Sequence, residues 1–366
     1  MHRALRNCAL LLCLSALLTA CERSSPEAML DNYSERVARV LEESIDNRLD
    51  SAPAITLLPP RRQRLLPLTD LRQGLIEVLA LRHCNLLGLI AQRNSSLGKV
   101  MLPSKQLVYE MRLLSQVRDC RAQLAQSVNA HTDKATDAQL IQQLDSIYSL
   151  KARELPAVLW NAIYASREME SNFSIGDPPL PLSLNENQSD GSEAALLSLQ
   201  TLAELQTLIA TPNWQLPTGL DQLEQHYQTL EANRFGSQWL KSVWLLSQTL
   251  ELTAQALDRR EQRRPICPQQ RPTPRARILL NVFNKYYAGE VQPYMARVDR
   301  SGQRWKTLHQ QLLSSLPATA AMRDYQWRTF ADTNPDSLWQ TYVRARDHHI
   351  RSWQTTLRHC NLMPSR

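Results

Sequence analysis

Apolar residues return every three or four positions along most of this chain, and prolines mark the places where that rhythm stops. Such spacing lays one stripe of a helix against a core, whereas a half-buried strand needs alternation at every second residue. Glycine usage points the same way. Nine glycines in 366 residues leave few positions for the tight turns of a large sheet protein, and the β-branched runs that strands favour are missing. The fold class expected is all-α: a multi-helix bundle with long helices and proline-rich crossings.

The rhythm divides into helices over about residues 26–48, 70–91, from Ser104 onward, 137–153, 155–170 and 194–210. A long pattern over 219–262 has a break expected at Gly236, and two further helices cover 275–300 and 302–316. Ser25 caps the first helix and Pro26 takes its first position; Asn334 and Pro335 do the same for the last. The helix over 70–91 carries Leu71, Leu75, Val78, Leu81, Leu86, Leu89 and Ile90 around most of its circumference, which places it at the centre of the bundle. Val343, Ile350, Trp353, Leu357 and Cys360 define the buried face of the closing helix. The stretch over 175–193 (IGDPPLPLSLNENQSDGSE) reads as a flexible connection between an N-terminal helical region, 21–174, and a C-terminal one, 194–366, which either share one core or stand apart.

The opening, MHRALRNCALLLCLSALLTAC, has Arg3 and Arg6, an apolar run too short for a permanent span, and small residues before Cys21. That layout is a secretory leader over residues 1–20. Leu18-Thr19-Ala20-Cys21 resembles the lipobox of bacterial lipoproteins, which implies cleavage before Cys21 and fatty acylation of its thiol. Several acyl chains give a lasting anchor where one is marginal. Glu22 follows instead of the aspartate that marks inner-membrane retention in that class, so the resemblance implies the outer membrane and its periplasmic face.

The formal charge of +7 falls by two when Arg3 and Arg6 leave. An excess so modest is no nucleic-acid signature. The arginines cluster at Arg61, Arg62 and Arg64, and at Arg259, Arg260, Arg263 and Arg264. A solvated helix end accounts for the second cluster, with anionic lipid or acidic envelope polymer as the alternative contact.

The hexamer LRHCNL occurs twice, at residues 81–86 and 357–362. With Cys8 and Cys13 in the leader and Cys21 acylated, Cys84, Cys120, Cys267 and Cys360 remain. An even number in an oxidising compartment reads as two disulfides. Three pairings are open, and joining near neighbours favours Cys84–Cys120 and Cys267–Cys360. The repeat then means two helices that each bury a cysteine, with Arg and His turned outward. Neighbouring His-Cys pairs point about 100° apart on a helix and suit one metal ion poorly; no metal and no cofactor is expected. For Cys84 to meet Cys120, the segment RNSSLGKVMLPS must run along the bundle as an ordered, packed loop.

That loop is the candidate binding loop, with Asn94 and Ser95 satisfying backbone ends and Gly98 supplying an unusual dihedral. Ser96 and Lys99 have the Ser-x-x-Lys spacing of penicillin-binding enzymes, but no Lys-Thr-Gly element accompanies them, so no catalytic residue is assigned. Val100 stands where a phosphate-binding loop needs Ser or Thr. Asp347-His348-His349 lies within a helical pattern, as solvated residues beside the Ile350 and Trp353 stripe. The aromatic run FNKYYAGEVQPY, residues 283–294, packs in the core around a Gly-Pro irregularity, or lines a ligand groove.

The lipobox, RNSSLGKVMLPSKQLVYE and FNKYYAGEVQPYMARVD together resemble an uncharacterised family of bacterial envelope lipoproteins, domain of unknown function 3080. The resemblance covers nearly the whole chain after the leader and brings no activity or catalytic residue with it. The expectation is a lipid-anchored periplasmic protein that binds or scaffolds another envelope protein or polymer. The alternatives are an envelope serine hydrolase acting through Ser96 and Lys99, or a carrier of a hydrophobic ligand.

Overall fold

The computed structural model describes residues 25–45, 55–69, 84, 86–127, 134–182 and 191–363, and among them it contains helices and no strand. Cys21, the leader and most of the expected 70–91 helix lie outside the described residues. No described helix is long and apolar enough to cross a membrane.

Helix α1 (Pro26–Leu41) starts as its sequence dictates. The Ser25 hydroxyl accepts from the Ala28 N–H at 3.2 Å and Pro26 follows it. It stops at Leu41, short of residue 48, because Glu42 turns into the left-handed region at φ 55°. Its face of Met29, Leu30, Tyr33, Val37 and Leu41 is buried. A four-residue turn, α2 (Arg61–Arg64), follows. Then come α3 (Leu87–Asn94), α4 (Ser96–Lys99), the antiparallel pair α5 (Pro103–Ser127) and α6 (Lys134–Tyr164), and the short α7 (Arg167–Asn172). Expected as two helices, residues 137–170 instead form one long helix through Pro156 and a short one after it. A mid-helix proline costs about 3 kcal/mol. Leu155, Val158, Leu159 and Trp160 are all buried around it, and each is worth about 2 kcal/mol, so packing wins.

The second half comprises α8 (Ser192–Ile209), α9 (Leu223–Asn233), α10 (Phe235–Arg263), α11 (Pro274–Val282), α12 (Gln292–Ser315), α13 (Ala320–Thr329) and α14 (Leu338–His359). The break expected at Gly236 falls two residues earlier, where Arg234 adopts φ 44°. The break expected near residue 301 is absent, since α12 runs straight through. A Cβ on Gly302 would meet the Trp239 indole at 1.8 Å, so this glycine serves close helix packing. The cap of α14 is Ser337, which accepts from the Gln340 N–H at 3.1 Å; Asn334 holds the preceding turn through the Asp336 N–H.

One core takes residues from both halves, from Met29 to Cys360, with Trp160, Trp239, Trp305 and Trp353 fully buried. A satellite cluster gathers Cys84, Leu86, Tyr109, Leu113, Val117, Cys120, Leu140 and Leu144. Leu86, with Leu89 and Ile90 packed beside it, therefore serves the satellite and not the centre of the bundle. The stretch expected as a flexible connection is docked at its described start: Leu180 is buried and its N–H donates to the Ser242 Oγ at 2.9 Å.

The disulfides are Cys84–Cys120, inside the satellite, and Cys267–Cys360, which ties the second proline-rich crossing to the end of α14. The register problem of the first bridge is solved by a break. Cys84 precedes α3, which begins only at Leu87, and Cys360 is the cap that ends α14. Neither cysteine of the repeated hexamer sits within an α-helix.

Candidate functional site

Between the two ordinary α stretches of α11 and α12, residues Phe283–Val291 wind as a π-helix. Each π turn holds one residue more than an α turn, and such segments occur frequently at functional sites. The sequence explains its position. Pro293 has no N–H for the carbonyl four residues back and its ring would crowd it; ahead of it, the Gln292 N–H reaches back five residues to the Tyr287 carbonyl.

The extra winding divides the aromatic run between two environments. Tyr287, Val291 and Tyr294 are buried, while Gly289, Glu290 and Pro293 face outward and, with Arg297, form one wall of a cleft. The opposite wall is α1, whose Ala28, Met29, Asn32 and Arg36 recur at helical spacing, and Leu182 closes one side. The cavity measures about 730 Å³, within the range of small-ligand sites. Both sequence alternatives for the aromatic run thus hold at once, one on each face.

The charges along the cleft are held in place by aromatic rings. Arg36 donates from Nε to Asn32 Oδ1 at 2.8 Å and lies 4.2 Å from the centroid of the Tyr286 ring. Arg297 lies 5.5 Å from the Tyr294 ring. Glu290, half-buried, has no ion pair among the described residues.

Behind the α1 wall lies a polar cluster closed to solvent. The Tyr33 hydroxyl contacts His349 Nε2 at 2.6 Å, and Trp353 Nε1–H donates to both, at 2.8 Å and 3.1 Å. With two donors aimed at it, His349 Nε2 is an acceptor and the ring is neutral. Burial lowers the His349 pKa to about 3, with the neighbouring His348 adding to the fall, and burial raises Tyr287 to about 12. A second buried pair, Tyr164 and His309 at 2.9 Å, repeats the arrangement, and burial lowers His309 to about 3. His349 was expected in solvent and is fully buried. His348, one position earlier, bridges Glu251 at 3.0 Å and Asp258 at 2.7 Å. Burial works against its charge, but these two carboxylates hold its pKa above the usual value.

The candidate binding loop forms a separate tip. Ser95 caps α4 by accepting from the Gly98 N–H at 3.0 Å and donates to the Gln92 carbonyl at 2.8 Å. Gly98 has no positive φ; it is needed because a Cβ would lie 2.1 Å from the Gln92 carbonyl oxygen. Asn94, Ser96 and Lys99 are exposed. The tip is ordered but not packed, with Leu97 81% and Val100 75% exposed. Among the described residues no enclosure surrounds Ser96 and Lys99 such as acyl transfer requires.

The second arginine cluster, expected as a solvated helix end, is so at Arg263 and Arg264, which are exposed, while other arginines of both clusters hold the fold together. Arg64 is buried, donating to the Pro59 and Tyr164 carbonyls and pairing with Glu170. Arg259 and Arg263 pair with Glu43, and Arg260 and Arg275 with Glu42, clamping the end of α1. Both His-flanked cysteines are oxidised and therefore supply no thiolate. Among the described residues no group of three or more His, Cys, Asp or Glu is placed to hold a metal ion.

Sequence reasoning named residues 283–294 but missed Asn32, Arg36, Leu182 and Arg297. On α1 the only signal was a polar stripe, which reads like any solvated face until a second helix is seen opposite it.

Compared with known proteins, residues 30–364 match the family model described as Protein of unknown function (DUF3080). The chain belongs to this family. The match spans both halves of the core, both disulfides and the cleft except for Ala28 and Met29. No curated protein and no solved structure matches the chain.

Proposed function

We propose that this member of the family is a lipid-anchored binding protein of the bacterial envelope. Its leader is removed, Cys21 is acylated, and the body stands on the periplasmic face of the outer membrane. There it holds another envelope component in the cleft between α1 and the π segment. The observation that carries this reading is the cleft itself: a π-wound wall, two arginines and a half-buried carboxylate converge on a cavity of ligand size. The disulfides suit an oxidising compartment. The exposed tip of Leu97 and Val100 beside Lys99 supplies a second contact surface.

Two measurements test it. Mass spectrometry of the protein from its own cells should show a chain beginning at Cys21 with diacylglycerol and a further acyl chain, and Cys21→Ser should abolish membrane attachment. A photo-crosslinking residue at position 32, in the cleft, should capture an envelope component that the same residue at exposed position 197 does not. A retained leader, or equal capture at both positions, would overturn the reading.

A further inference from the structure

We propose that the cleft recognises a zwitterionic aminophosphate head group, that of an ethanolamine phospholipid, with the phosphate between Arg36 and Arg297 and the ammonium on Glu290. The inference deepens the binding role proposed above and rests on it.

The charge pattern selects the ligand class. Arg36 uses Nε on Asn32 and its flat face on Tyr286, and it has no carboxylate partner among the described residues. Its two terminal nitrogens therefore remain as a rigid fork of donors, the geometry that phosphate oxygens match in pairs. Arg297 adds a second cation on the facing wall. A purely anionic ligand would answer the arginines but press against Glu290, which is half-buried and without an ion pair of its own among the described residues. A cation would answer Glu290 and meet two arginines. A neutral ligand would leave Arg36 and Glu290 uncompensated as the cleft lost water. A ligand that carries a phosphate and a primary ammonium two carbons apart satisfies each of them.

Shape and place favour a lipid over a free amino acid, which shares the zwitterionic character. The cavity of about 730 Å³ is several times what a small amino acid fills, and Met29, Leu182 and Pro293 line it with apolar surface suited to the glycerol and first methylenes. Its α1 wall begins within one turn of Ser25. From Ser25 to Cys21 the chain extends at most about 14 Å, so the proposed anchor keeps the cleft beside the lipid surface. A primary ammonium also separates this ligand from choline lipids, since a quaternary nitrogen has no N–H to donate to a carboxylate.

The test uses the mature chain with Cys21→Ser, so that its own acyl chains do not mask binding. Flotation is measured with phosphatidylcholine vesicles alone, and with vesicles carrying an equal fraction of phosphatidylethanolamine or phosphatidylglycerol. Binding should be strongest to the ethanolamine vesicles, and soluble glycerophosphoethanolamine should compete. Glu290→Gln should weaken ethanolamine binding about tenfold and erase its advantage over phosphatidylglycerol, while Arg36→Met weakens both. Both side chains lie at the surface, so melting temperatures should stay unchanged. Equal binding to ethanolamine and glycerol lipids, with Glu290→Gln silent, would reduce the cleft to an anion site and overturn the proposal. So would preference for a free amino acid in competition, or capture of a protein at position 32 that ethanolamine lipid does not displace; the latter leaves the broader binding role standing. An unacylated Cys21 would strike the broader role without altering the vesicle result.

Discussion

The buried histidines make the strongest residue-scale statement. His309 and His349 have pKa values lowered to about 3 from 6.5, so the unfolded chain takes up protons that the folded one refuses. Stability is therefore highest above pH 6.5 and falls as pH drops toward 3, by about 1.4 kcal/mol per pH unit for each histidine. Denaturant titrations between pH 7 and pH 4 should show this fall, and His349→Gln should remove about one proton from the slope. His348 works in the opposite sense: its raised pKa adds stability at low pH that fades as pH rises. Arg64 carries a second prediction. Truncation to alanine strands the Pro59 and Tyr164 carbonyls and Glu170, and should cost about 3 kcal/mol in equilibrium unfolding. Gly302→Ala, forced against Trp239, should cost about 2 kcal/mol in the same assay.

At the scale of elements, the two disulfides divide the labour unequally. Their sequence separations of 36 and 93 residues correspond to about 4 and about 5 kcal/mol of loop-closure entropy. Cys120→Ser should raise hydrogen exchange in α3 and the adjoining turns of α5 and α6 while sparing the main core. Cys360→Ser should lower stability throughout. The elements themselves were readable where a polar side faces water, because period and caps then agree: α1, α5, α10 and α14 all lie close to where apolar spacing puts them. Boundaries failed where tertiary contact overrode local chemistry, as at Pro156 and Gly302. On α14 the buried stripe runs through His349 and not Ile350, because Tyr33 and Trp353 satisfy a nitrogen that alone belongs in water. The cleft was half legible. Its aromatic wall stood out in the sequence, but Pro293 marks only an irregularity and does not by itself specify π winding, and α1 lies some 250 residues away along the chain.

Across the whole molecule, one core joins the first helix to the last. The satellite cluster, small and stapled by a single bridge, should open before it; exchange measured under mild denaturant should show two steps, the satellite first. Main-core stability should then fall in one cooperative transition monitored by the buried tryptophans. The placement of α1 governs how that core is assembled. Tyr33 is bonded to His349 and Trp353, across 316 and 320 residues of chain, and Glu42 reaches Arg275. The first helix thus finds its main partners, α10, α11 and the π segment, only beyond residue 234. A chain wired in this way closes late, by contacts far apart along its length, so its refolding should be slow for a helical protein of this size.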